Sequence, residues 1–154
     1  MSLTDIWVLS CPKSSTFNVQ KILKLEGLTP TWEAQPYTPP NLQSRMQTSL
    51  KDAAVAKIAS EFSRLGLAFE ITQSSNEPCL ILGHPGLGLK RLALDSAGEV
   101  VIRQGQLARL ITEASGSASE LERLLRVEAG TAWLDLLEPY RNATLRLNEL
   151  PRAV

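Results

Sequence analysis

The stretch SCPKSSTFNVQKILKLEGL, Ser10 to Leu28, is where a strand has to become a helix. Upstream of it, Asp5 to Ser10 (DIWVLS) carries β-branched and aromatic residues without a breaker, the composition of a strand. Pro12 then turns the chain. Ser14, Ser15 and Thr16 can each cap a helix, because a side-chain oxygen accepts from an otherwise unpaired N–H of the first turn. Phe17, Val19, Ile22, Leu23 and Leu25 recur at helical spacing, with Gln20, Lys21, Lys24 and Glu26 between them, and Gly27 stops the helix. This places Cys11 at a helix N-terminus, either as a working thiol or as a small residue in a tight turn.

Working outward, Thr31 to Ala34 reads as a second strand, and PYTPPN as a proline-locked turn. Met46, Leu50, Ala54, Val55, Ile58, Ala59, Phe62 and Leu65 predict a helix over Ser44 to Leu65, ended by Gly66. Ala68–Thr72 and Cys79–Leu82 are short strands. Leu89–Leu94 and Glu99–Arg103 form a hairpin across Asp95-Ser96-Ala97-Gly98. Gln106–Ala114 is helical, SGSAS is a joint, and Glu120–Tyr140 is helical with a break expected at Gly130. The order β-α-β-α-β-β-β-β-α-α predicts an α/β sandwich in which helices pack on a mixed sheet. Residues 1–115 form the α/β domain. Residues 116–154 are a helical extension packed on the same domain, with the last residues expected to fray.

Composition narrows the functional classes. The chain has 154 residues, 44% hydrophobic and 21% charged, enough for one real core. Its net charge is zero, with seven acids against seven bases up to Leu89 and nine against nine beyond it. Neither half has the basic excess that counterion release on nucleic acid requires. A nucleic-acid module would need Arg103, Arg109, Arg123, Arg126, Arg141 and Arg146 to gather on one face. The N-terminal MSLTDIWVLSCPKS lacks the basic region of a signal peptide. No run approaches the roughly 18–20 apolar residues of a membrane span. Two cysteines make no disulfide framework. The expectation is a reduced, cytoplasmic protein without a membrane segment.

Two segments carry a family resemblance. Strand, Cys11-Pro12-Lys13-Ser14, helix, glycine and strand resemble the opening βαβ of thioredoxin-fold proteins. C-P-x-S is similar to the monothiol glutaredoxin site and to the N-terminal site of some glutathione transferases. Ile6 to Pro40, with TPTWEAQPYTPP, resembles the start of arsenate-reductase-like and Spx-type proteins. His84-Pro85-Gly86-Leu87 followed by Leu89-Lys90-Arg91-Leu92-Ala93-Leu94-Asp95 is similar to the H-P-G-L-L-R-R-P-I-I-I-D run of that group. The resemblance implies a thioredoxin-like fold. Its departures are specific: Lys13, rather than Cys11, aligns with the arsenate-reductase nucleophile, and Leu92 stands where the group keeps a proline. In an Spx-type protein the partner would be transcription machinery.

The chemistry allows two readings of the first turn. A thiolate of Cys11 would be favoured by the helix dipole and by Lys13. Ser14 would hydrogen-bond it but could not resolve a mixed disulfide, so such an enzyme would need glutathione or another thiol. Alternatively, Cys11 is a half-buried turn residue. Cys79, after a proline and opening an apolar strand, reads as a core thiol. His84 is the sole histidine; it reads as the opening of a Pro-Gly turn, with a Cys11–His84 pair as the other possibility. The ligand residues form no metal cluster at usable spacing. HPGLGLK is not a phosphate loop, and Asp95 with Glu99 fits turn chemistry. Leu121, Leu124, Leu125, Trp133, Leu137 and Tyr140, with Val127, Leu134 and Leu136, are more apolar than one buried stripe needs. They either wedge into the core or face a protein partner. The leading expectation is a small binding or regulatory protein with a non-catalytic or altered thioredoxin-like fold and no cofactor. The alternatives are a thiol-dependent reductase or transferase using Cys11, and a nucleic-acid module.

Overall fold

The computed structural model describes residues 3–149. Its elements are β1 (Leu3–Cys11), α1 (Thr16–Lys24), β2 (Glu33–Ala34), β3 (Leu42–Ser49), α2 (Asp52–Arg64), β4 (Ala68–Ser74) and β5 (Cys79–His84). They continue as β6 (Gly88–Leu94), β7 (Val100–Val101), α3 (Gln104–Ala114), α4 (Ala118–Glu128) and α5 (Thr131–Glu149). The fraying expected of the last residues, and the end of the extension at Val154, lie outside the described residues.

The strands form one sheet in the order β2-β3-β1-β4-β5-β6-β7. The α/β class is as expected, but the sheet is not mixed: each pairing among the described residues is antiparallel. The parallel βαβ opening does not form, because β1 lies between β3 and β4 and the chain leaving α1 goes to an edge. β2 contributes only two residues there, pairing with Gln43 and Leu42.

Residues 44–49 form most of an extra strand, where a helix was expected. Ser44, Met46, Thr48 and Leu50 turn inward while Arg45, Gln47 and Ser49 are exposed, the period of two that a half-buried strand requires. Met46 and Leu50 are four apart, a spacing that fits both a helix face and one face of a strand. Pairing with β1 from Leu3↔Ser49 to Val8↔Ser44 decides the outcome. The helix that remains, α2, buries Val55, Ile58, Ala59 and Phe62 at i, i+3, i+4 and i+7.

Two cores result. On one sheet face Ile6, Val8, Phe69, Ile71 and Ile81 meet Val19 and Leu23 of α1 and the buried stripe of α2. On the other, Trp7, Leu9, Ala68, Leu82 and Leu92 meet Leu137 of α5, flanked by Trp133, Leu134 and Tyr140. The helical break falls at Gly130, whose φ is 68°. A Cβ there would come within 3.0 Å of Leu92, so the α4–α5 corner both needs a left-handed residue and presses on the sheet. The Asp95–Gly98 turn forms as expected, with Asp95 Oδ1 accepting from the N–H groups of Ala97 and Glu99 at 2.9 Å each. Among the described residues no helix is long and apolar enough to cross a membrane.

Candidate functional site

The first turn was the leading chemical candidate, and its three residues separate. Strict alternation would put Cys11 on the face of Trp7 and Leu9. Register shifts after Val8, in the pairings with both β3 and β4, reverse that parity, as a bulge does. Cys11 therefore enters the core beside α1 and α2, with no exposed surface. Its thiol donates to the Pro12 carbonyl at 3.3 Å. Burial pushes the thiol up to about 11, so it is protonated at neutral pH. Lys13 and Ser14, by contrast, are exposed; they belong to a short 3-10 turn, Lys13–Ser15. Thr16 Oγ1 donates to the Lys13 carbonyl at 2.8 Å, a bond internal to that turn. The helix N-terminus is present, but the sulfur points away from it into the core.

His84 serves its turn. Its Nδ1 accepts the Gly86 N–H at 3.0 Å, and burial lowers its pKa, so the ring is neutral. Cys79 and Ile81 face the α1/α2 core, and Leu80 and Leu82 face α5; alternation sets His84 on the α5 side. The sheet thus stands between His84 and Cys11. Cys79 is buried and its thiol is held up by desolvation, against the opposing pull of Arg91. Both cysteines are free. Among the described residues no group of three or more His, Cys, Asp or Glu is placed to hold a metal.

The apolar C-terminal set divides between interior and surface. Leu137 is fully buried in the second core, and Trp133 and Tyr140 pack beside it. The Trp133 indole N–H donates to the Gly88 carbonyl at 3.0 Å, while the Tyr140 ring meets Tyr37 edge-on at 4.9 Å. Leu121, Leu124 and Leu125 are only half-buried, and α4 has no fully buried residue. Leu121 and Leu125 line an open groove of about 750 Å³, together with Ile102, Ala118, Ala129 and Thr131. Glu122 and Arg126 flank it, paired with each other at 3.2 Å.

Ile102, Ala118 and Ala129 were not singled out in the sequence. Ala118, Leu121, Leu125 and Ala129 follow a 3-4-4 spacing, which is a helix stripe. The small residues at its ends conceal it, because alanine adds little to an apolar pattern. Ala118 also looked like part of a loop.

Of the six arginines that a nucleic-acid module would need together, four are paired with carboxylates, and Arg103 and Arg146 have no ion pair among the described residues. Arg109 pairs with Glu113 and Glu128, Arg123 with Glu120, Arg126 with Glu122, and Arg141 with Glu70.

No curated protein and no solved structure matches the chain. A family model, described as Protein of unknown function (DUF3145), matches residues 6–147, and the chain belongs to that family.

Proposed function

We propose that this chain is a binding protein that engages a protein partner through the groove along α4. The observation that carries the proposal is the groove itself: an apolar floor of Ile102, Leu121 and Leu125 that stands open among the described residues. Half-buried leucines beside a neutralised Glu122–Arg126 rim offer area to a partner's side chains without exposing an unpaired charge to desolvation. The thiol-dependent enzyme would need Cys11 as an accessible thiolate, and burial opposes both requirements.

A regulatory role and a cytoplasmic location belong to the same proposal. Two free, buried cysteines suit a reducing compartment. The thioredoxin-like kinship is also a proposal, resting on the Cys11–Ser14 and His84–Leu87 runs alone, and the antiparallel pairing of β1 with both its neighbours opposes it. The groove does not depend on that kinship.

The test uses a photo-crosslinking residue in place of Arg126 on the full chain, compared with the same protein carrying Leu121→Glu and Leu125→Glu. A partner that crosslinks to α4 and is lost from the double variant, at unchanged melting temperature, supports the proposal. Equal capture by both proteins, with crosslinks elsewhere, would sink it.

A further inference from the structure

A second concavity, of about 260 Å³, opens between β6 and the start of α3. Pro78, Cys79 and Ala93 wall it, and Arg91, Arg103 and the Gln106 amide supply its polar groups. We propose that this pocket binds the phosphate group of a small soluble ligand, a site independent of the α4 groove.

The pairing of the arginines carries the inference. Arg45, Arg64, Arg109, Arg123, Arg126 and Arg141 each have a carboxylate within 4.0 Å. Arg91, Arg103 and Arg146 have no such partner among the described residues, and the first two line this one pocket. Glu77 is the pocket's acid and forms no ion pair with either arginine, leaving a net side-chain charge of about +1. The Cys79 thiol, 95% buried in the wall, is held protonated by desolvation and adds no negative charge.

The two arginines come from different elements, Arg91 from β6 and Arg103 from the residue that precedes α3. Each carries five N–H donors in a planar fork. The two oxygens of a carboxylate are satisfied by one fork, whereas the three oxygens of a phosphate ester can accept from both. Charge agrees, since such an ester carries about −1.5 to −2 at neutral pH. The Gln106 side-chain oxygen accepts the Arg103 N–H at 3.1 Å, which holds Arg103 at the head of α3.

The experiment is a titration of the full chain with inorganic phosphate at constant ionic strength, balanced with chloride. It is followed through the arginine Nε–H and backbone N–H resonances. The expected result is saturable shifts at Arg91 and Arg103, with half-saturation on the order of millimolar for the bare anion. Arg91→Gln and Arg103→Gln, each at an exposed position, should each weaken binding roughly tenfold. Arg146→Gln, which alters an arginine outside the pocket, should leave it unchanged. Shifts that chloride reproduces, that fail to saturate, or that persist in both pocket variants would overturn the site. Acetate binding as tightly as phosphate would overturn the assignment of the ligand.

Discussion

At Cys11, burial couples the titration of one thiol to the stability of the whole chain. An unfolded cysteine ionises near 8.5, and the folded thiol only at about 11. Below the lower value both states hold the proton and the folded state keeps its advantage. As pH rises through the window between them, the unfolded chain loses its proton first, and stability falls by up to about 1.4 kcal/mol per pH unit. Urea midpoints measured from pH 8 to 11 should show that decline in the wild type and a smaller one in Cys11→Ala. In the native protein at neutral pH, iodoacetamide should leave Cys11 unmodified until denaturant is added. Gly83 is the other residue whose identity is dictated by its surroundings. A Cβ there would lie 2.1 Å from the Phe69 ring, which itself packs edge-on against Phe62 at 5.4 Å. Gly83→Ala should cost about 1–3 kcal/mol by overpacking, read as a lowered melting temperature. Its cost and that of Phe69→Leu should combine less than additively, since both act on one contact.

At the scale of an element, α5 is the cover of the second core. Leu137→Ala should destabilise by about 2–5 kcal/mol, the range for a buried leucine that leaves a cavity, measured by chemical denaturation. Further along the helix, Arg141 donates to Glu70 at 2.6 Å across the interface with β4. Desolvation raises the Glu70 pKa, and Arg141 offsets part of that rise. Arg141→Leu therefore leaves a carboxylate in a poorly hydrated place, at a cost of about 1–3 kcal/mol where Glu70 is ionised. That cost should shrink as acid protonates Glu70, because the neutral acid needs no counter-charge. The difference between variant and wild-type denaturation curves, followed from pH 7 to pH 4, checks the sign. Near the end of α5, Thr144 Oγ1 donates to Gln43 Oε1 at 3.1 Å, and the Trp7 indole N–H reaches the same oxygen at 3.3 Å. The Gln43 amide in turn donates to the Ala34 carbonyl at 3.0 Å, tying α5, β1, β3 and the short edge strand β2 together.

For the whole molecule, the division between a buried sheet and a loosely covered α4 has a dynamic consequence. β1 and β4 lie between two cores, while α4 has no fully buried side chain. Amide hydrogens of α4 should exchange well before those of β1 and β4, since opening α4 exposes little apolar area. A partner seated in the groove should slow α4 selectively. Much of this architecture is legible from local chemistry. The strand and helix around Cys11, the Asp95–Gly98 turn, the α2 stripe and the break at Gly130 each follow from a few neighbouring residues whose geometry permits little else. Other features depend on contacts distant in sequence. Met46 and Leu50 fit a helix or a strand equally until β1 supplies hydrogen-bond partners about forty residues away. The direction of β1's neighbours is likewise a choice among pairings, so an antiparallel sheet could not be read from the order of elements. The same holds at the sites: the residue types at Cys11, Leu121 and Arg91 are plain in the chain. A bulge turned the thiol inward, packing left the α4 leucines half-covered, and the approach of β6 to α3 joined two arginines, because burial and proximity are properties of the folded surface and not of any local run of residues.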